Sequence, residues 1–530
     1  MDRRSFLLGA SSAAAFFSYN SWRAAYAETP KSVLVVAQQL DNVTSLDPHE
    51  SFEAVAGEIA NNMYQRLVRP HPERPEELLG DLAERWEVMP GGGLRFTLRA
   101  DARFASGAPV TAEDAAFSLA RAVTMNKAPA FILTQFGFTR ENAAARLRAR
   151  DARTLEVEPV GQHSPAFLLY CLSANVGSIV EKAALLAHAQ GDDLGNGWLR
   201  QNSAGSGPWA LRSWKPSESA ILEATPQRGA GGIRRIILRH VVDPSTQLLM
   251  LRTGDVDIAR NLTTEQIKAL QGQPGFELLR RQNATLMLLQ MNVAHPALSK
   301  VAVRQAIKWA IDYESIQANL AALTHQVHQS FLPRGFPGAV TETTFRKDPA
   351  RARALLAEAG LADGFEITLD HYNAQPYPDI AQALQADLAA IGIRLRMLPG
   401  ENRQVLTKTR SRQHEMALTA WGADYFDPNT NAEAFCVNAD NGPEARARTL
   451  AWRNNWQDAA MTERSLAALA ETDGTRRLAL YEALQRDHMQ ASPFAFLLQG
   501  TTTAACRKGV EGVRLATMAN DNSYAEVRKP

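Results

Sequence analysis

Trp421-Gly422-Ala423-Asp424 sets an indole and a carboxylate three residues apart with only small residues between them. An aromatic face beside a carboxylate attracts a cation, and the small pair keeps the wall between them open. The group this pattern suits is an ammonium carried on an apolar or extended body. An ammonium that loses its water needs a charged acceptor, which Asp424 offers. A carboxylate on the same molecule would need a cationic partner. Arg403, Arg410, Arg412 and His414 lie just upstream, with Arg412 and His414 the foremost candidates. Each is otherwise a solvated surface charge. Asp427, in an Asp-Pro turn, reads as a loop cap.

Other reactive residue types are present without the spacing that chemistry needs. His325-x-x-His328 would put two imidazoles on one helical face, but no acidic or cysteine partner stands at ligand spacing. The run from Gln326 to Pro333 reads as loop. No metal and no cofactor is therefore expected. His371 beside Tyr372 carries the same double reading. Gly-x-Ser-x-Gly, His-Glu-x-x-His and phosphate-loop patterns do not occur, so the chain does not read as an enzyme. A hydrolase of small amine compounds is the contrasting class, and a purely structural protein a third.

The elements that must position Trp421 and Asp424 follow from periodicity. Glu415 to Ala420 alternates as a strand and runs out into small and polar residues at Trp421, where binding groups collect. Upstream, Phe365–Leu369, a helix over Asp379–Ile391 and Ile393–Met397 alternate strand and helix, as in an α/β unit whose ligands sit at strand ends. Ser32 to Ala37 is an apolar run typical of a buried strand, followed by a polar loop to Pro48 and a helix over Phe52–Leu67. Gly91-Gly92-Gly93 turns a hairpin into the strand Leu94–Arg99. Thr111 with Asp114 has the form of a capping box. Gly205-Ser206-Gly207-Pro208 is a turn before the strand Trp209–Trp214, and Gly254 stops a helix over Ser245–Arg252. Leu286–Asn292 and Ser492–Gln499 are two long apolar strands.

A chain of 530 residues exceeds one core and predicts two or three domains. With 57 basic against 56 acidic residues it presents no field for nucleic acid or anionic membrane. Arg3-Arg4 precede an apolar, small-residue run, and Ala25-Tyr26-Ala27 has the A-x-A form of a cleavage site, so residues 1–27 read as a twin-arginine export signal. Ser18 to Arg23 interrupts the run of about 20 apolar residues that a membrane anchor needs. The mature protein is expected to start near Glu28, free in the periplasm, not membrane-embedded, and monomeric. Cys171, Cys436 and Cys506 permit one disulfide with one thiol left over, without selecting the pair; lacking a Cys-x-x-Cys motif, they read as structural.

Asp81–Trp86, Leu94–Arg99 and Phe104–Arg121 together resemble the signature of the family 5 solute-binding proteins of ABC importers, the oligopeptide, dipeptide and nickel-chelate binders. The resemblance continues through Gly205–Trp209, Leu251–Ile258, Met291-Asn292, Val303–Ile307 with Ala310–Asp312, and Asp348–Gly360. It implies an α/β, two-lobed periplasmic binding protein of the Venus-flytrap type (class II, cluster C) with an additional domain and a two-strand hinge. Residues 28–69, 204–290 and 498–530 would form lobe I, 70–203 the additional domain and 291–497 lobe II. By the same resemblance Trp421, Asp424 and Tyr425 lie on the cleft wall, with Asp424 on a peptide's terminal ammonium, and Gln39 and Leu40 offer backbone groups to an extended ligand. The common motif carries Pro where Phe426 stands, so an amine is implied more firmly than a peptide. The implied function is capture of a peptide or peptide-like amine for a membrane ABC permease. Opine-like conjugates and a nickel or metallophore chelate are the alternatives.

Overall fold

The computed structural model describes residues 29–530 except 230, 231 and 446; the export signal expected over residues 1–27 lies outside the described residues. One sheet runs through the molecule. In spatial order it holds Ile393–Gly400, Phe365–Tyr372, Met416–Gly422, Phe276–Met291, Phe494–Arg507, Ile258–Ala259, Val33–Gln38, Arg235–His240, Ser219–Ala224 and Trp209–Lys215, with His325–Val327 paired to the side of Phe494–Arg507.

The two long central strands pair antiparallel along most of their length, but the register slips between Gln282 and Leu286 and again between Met287 and Leu288. Beyond the slip, successive residues of the first strand face opposite cores. Met287, Leu289 and Met291 pack with Ile307, Ile367, Leu369 and Leu384. Leu286 and Leu288 pack with Phe331, Phe435, Phe494 and Phe496. Burial on both faces explains the unbroken apolar run Leu286–Met291. Before the slip, the partners Arg280–Gln282 and Thr501–Thr503 are polar and only partly covered, which is why the sequence reading began this strand ten residues late.

A third core gathers Leu34, Val36, Ile59, Met63, Trp209, Leu222 and Leu238 around the Val33–Gln38 strand. A fourth, over a separate four-stranded sheet of residues 83–157, holds Leu94, Phe96, Leu119, Phe136, Leu155 and Phe167. The capping box at Thr111 forms as expected: its hydroxyl accepts from the Asp114 N–H at 3.2 Å, and Asp114 accepts from the Thr111 N–H at 3.0 Å. The expected helix over Phe52–Leu67 is shorter, Ala54–Met63, because Val68–Pro70 leaves as a strand. Gly205 and Gly207 meet the end of that helix. A Cβ at Gly205 would stand 2.1 Å from the Met63 carbonyl oxygen, and one at Gly207 2.6 Å from the Met63 carbonyl carbon, so the turn needs glycine for close approach.

The three cysteines are buried and free, each in a different core, so the disulfide that the sequence permits does not form. A buried ion pair joins the third and fourth cores: Arg121 donates to both carboxylate oxygens of Asp47 at 3.0 and 2.6 Å, with both side chains fully covered.

Candidate ligand-binding site

The strand Met416–Gly422 lies antiparallel to the first long strand, with Gly422 opposite Thr285 and Trp421 opposite Leu286. The strand therefore delivers its last residues to the register slip. The helix Asn429–Cys436 follows at once, and its first turn fixes the loop between them. The Asp424 N–H donates to Thr430 Oγ1 at 3.0 Å, and Trp421 Nε1 donates to Asn431 Oδ1 at 3.0 Å. Asn431 is itself tied to the Phe331 carbonyl at 2.5 Å, and the Trp421 ring stands edge-on to Phe435 at 5.9 Å. The indole is packed against the core of Phe331 and Phe435 and does not itself line the cavity at the strand end, so of the two residues expected to hold a ligand's positive end only Asp424 reaches it.

A cavity of about 230 Å³ opens at this point. Its walls come from every part of the molecule: Gly422, Ala423 and Asp424 from the loop, Asn283, Ala284 and Thr285 from the register slip, Ser51, Phe52 and Glu53 from the entry to the Ala54 helix, Ile132 and Asn175 from the fourth core's domain, and Met518–Asn520 from the C-terminal segment. A larger space of about 440 Å³ lies around Arg66, Arg69, Asp81 and Arg514. There Arg66 is paired with Asp521 at 2.9 Å and Arg514 with Glu526 at 2.5 Å, while Asp81 accepts from Gln65 and from the Arg66 N–H.

Asp424 differs from those carboxylates. Among the described residues no hydrogen bond or ion pair ends on its carboxylate group. Burial, with repulsion from Glu433 added, pushes its pKa up to about 7 against the opposing pull of Arg453. An ammonium bound there stabilises the ionised form, so amine affinity depends on how much Asp424 is ionised in the empty protein. For an amine ligand that stays protonated throughout, the affinity is therefore expected to level off only above about pH 8 and to fall below it. By linkage it should be about 100-fold weaker at pH 5 than at pH 8. Calorimetric titration across that range checks this, and a profile unchanged between pH 5 and 8 contradicts it.

The other expected site residues stand elsewhere. Tyr425 is buried in the fourth core, 5.9 Å from the Phe167 ring, and its hydroxyl accepts from Asn429 Nδ2 at 3.2 Å. Arg412 donates to the Asn441 carbonyl at 2.8 Å and to Asn441 Oδ1 at 2.6 Å, and lies over Trp452 at 4.4 Å. His414 is buried with Nε2 against Asn454 Oδ1 at 3.0 Å. The Gln39 N–H donates to Asn261 at 3.0 Å and the Leu40 N–H to His240 Nδ1 at 2.9 Å, so these backbone donors are taken. None of the five lines the cavity. For Arg412 and His414 the reason is the strand between them and Asp424, whose seven residues span roughly 20 Å. His325 and His328 do not share a helical face: the first is on a short strand, and the second sits against the Leu332 carbonyl at 2.8 Å.

Ser51, Phe52, Glu53 and Asn283–Thr285 were not anticipated. The first group follows directly on the Leu46–Glu50 loop, whose Asp47 and His49 are fully buried polar residues joined by a hydrogen bond from the His49 N–H to Asp47 at 2.9 Å.

Residues 77–443 match the bacterial extracellular solute-binding proteins, family 5 (middle). The chain belongs to that family. It is a solute-binding protein rather than an enzyme. This family 5 member is 26% identical over 495 residues to the probable D,D-dipeptide-binding periplasmic protein DdpA of Escherichia coli (strain K12), covering 92% of each chain. Its fold is that of DppA from Helicobacter pylori, solved in complex with the peptide STSA: TM-score 0.74, 22% identity, 94% of this chain and 98% of the other. It is also that of NikZ from Campylobacter jejuni, solved with Ni(L-His): TM-score 0.74, 20% identity, 92% of this chain and 97% of the other. The molecule is thus a two-lobed binding protein of the family 5 fold.

Proposed function

We propose that this family 5 member is the periplasmic substrate-binding component of an ABC importer, which closes its lobes on a peptide or peptide-like amine and delivers it to the membrane permease. Export through the twin-arginine route and action as a monomer belong to the same reading. The observation that carries it is the Asp424 carboxylate, which lines a cavity together with Ser51–Glu53, Asn283–Thr285 and Met518–Asn520 and has no hydrogen-bond or ion-pair partner among the described residues. Closure stabilises the bound form only through contacts from both lobes to one ligand, and the cavity provides them. The names of the relatives favour short peptides, and that of DdpA a D,D-dipeptide. Among the described residues no helix is long and apolar enough to cross a membrane, which accords with release into the periplasm.

Calorimetry with L-alanyl-L-alanine and D-alanyl-D-alanine, each free and N-acetylated, tests the reading. The free amine of at least one is expected to bind and its N-acetyl form to lose about 100-fold or more, since acetylation removes the charge that Asp424 pairs. Equal binding of free and acetylated forms, or none of either, would sink the assignment. Mass spectrometry of material copurified from the periplasm separates a dipeptide from an opine-like conjugate or a chelate.

A further inference from the structure

Among the described Phe, Tyr and Trp residues, only Phe52 and Phe131 leave more than a third of their surface in water, 45% and 40% respectively. The two touch: their rings meet edge to face, with centroids 5.9 Å apart and planes at 81°. Each is held by the chain around it. Phe52 stands just before the helix Ala54–Met63, and its N–H donates to Glu53 Oε2 at 3.2 Å. Phe131 opens the short helix Phe131–Thr134, whose Ile132 and Leu133 are buried in the fourth core, so the turn that seats those two leaves Phe131 facing water. The pair adjoins the cavity of Asp424. Phe52 lines it, as do Pro129 and Ile132 from the segment that carries Phe131, and Val176 and Met518 add to the apolar wall.

We infer, on the reading given above, that Phe52 and Phe131 are the seat for an aromatic side chain of the ligand, so that the protein selects amines carrying a large planar apolar group. Large apolar surface left in water is costly, and paired rings in that state mark a place where something apolar docks. The occupant follows from continuity. One ring of the pair is itself cavity wall, so the molecule held at Asp424 is the one placed to cover both. The angle between the rings favours a third ring over an aliphatic chain. Two planes near a right angle form a corner, in which a planar group lies against one ring and meets the other by its edge; both are preferred aromatic arrangements. An aliphatic side chain gains only the area it removes from water.

Calorimetry with alanyl-alanine, phenylalanyl-alanine and alanyl-phenylalanine, each in its L,L and D,D forms, on the wild type, Phe52→Ala and Phe131→Ala tests the seat. In the wild type at least one aromatic dipeptide is expected to bind about 10-fold or more tightly than alanyl-alanine of the same configuration. In both variants that ratio should fall by about 3-fold or more. The readout is a ratio measured on one protein, so a general loss of stability in a variant does not move it. A smaller preference in the wild type overturns the seat and leaves the ammonium site at Asp424 standing, which the N-acetyl comparison judges separately. A preference that survives in either variant shows that the ring removed is no part of the seat, and overturns the pair. Sedimentation of the empty proteins covers the other occupant: a dimer that either substitution dissolves assigns the rings to a second copy of this chain and overturns the inference. If none of the peptides binds, the peptide reading falls and this inference with it.

Discussion

Asp424→Asn is expected to weaken binding of an amine-bearing ligand by about 100-fold or more while making the empty protein more stable at pH 8. The first effect follows from the charge pair: a neutral amide of the same shape leaves a desolvated ammonium without its acceptor, a loss of about 2–5 kcal/mol. The second has the opposite sign for a definite reason. The folded-state pKa of Asp424 is raised from 3.8 to about 7. The stability contributed by such a group is complete below its unfolded pKa and is lost as pH rises through the folded one. At pH 8 the empty protein therefore holds an unpaired, partly buried carboxylate, and Asn removes it. The group keeps some contact with water, so the gain is put at about 1–2 kcal/mol, less than the shift alone would imply. Thermal melting at pH 8 and pH 4 checks both sign and window, since the gain should vanish at the lower pH. A variant that loses both affinity and stability would instead make Asp424 a structural residue.

Arg477→Met is expected to cost the fold about 3–5 kcal/mol, more than any other single substitution considered. Arg477 donates to both oxygens of Asp427 at 2.8 and 2.7 Å, and the carboxylate of Asp427 is fully covered. Removing the cation strands a buried anion. The same guanidinium lies 5.4 Å from the Phe167 ring centre and 5.0 Å from that of Tyr481, so packing is lost as well. The double variant Asp427→Leu/Arg477→Met should recover much of the loss, because replacing a buried pair with apolar groups removes the stranded charge. Chemical denaturation of the two single variants and the double decides this, and additive losses would contradict it.

Asp427 also shows how far local sequence can be read. The Asp-Pro turn was legible, and Asp427 does cap it by accepting from the Asn429 N–H at 2.9 Å. Its bidentate partner fifty residues away was not, because no local period links a loop to the fourth helix after it. The same divide runs through the site. Trp421 and Asp424 stand on a strand end, and alternation over Glu415–Ala420 was enough to find it. Arg412 and His414 were chosen by nearness in sequence, but an extended strand turns nearness into distance. Ser51, Phe52 and Asn283–Thr285 reach the cavity only through the packing of separate cores, which leaves no periodic trace. The fold was easier. Apolar runs, a capping box and glycines at close approaches are local signals, and each marks an element that forms.

Tyr425 was expected to touch the ligand and instead lies in the core of the neighbouring domain against Phe167, one residue beyond Asp424. That gives it another consequence. Parting the loop from that domain means drawing a large ring out of an apolar bed, at a cost of about 1.5–3 kcal/mol for an aromatic side chain. Any motion that parts the loop from that domain therefore works against this aromatic contact. The carboxylate of Asp424 is thereby held in place by its neighbour's anchorage in an apolar bed, so the site keeps its wall whether or not a ligand is present.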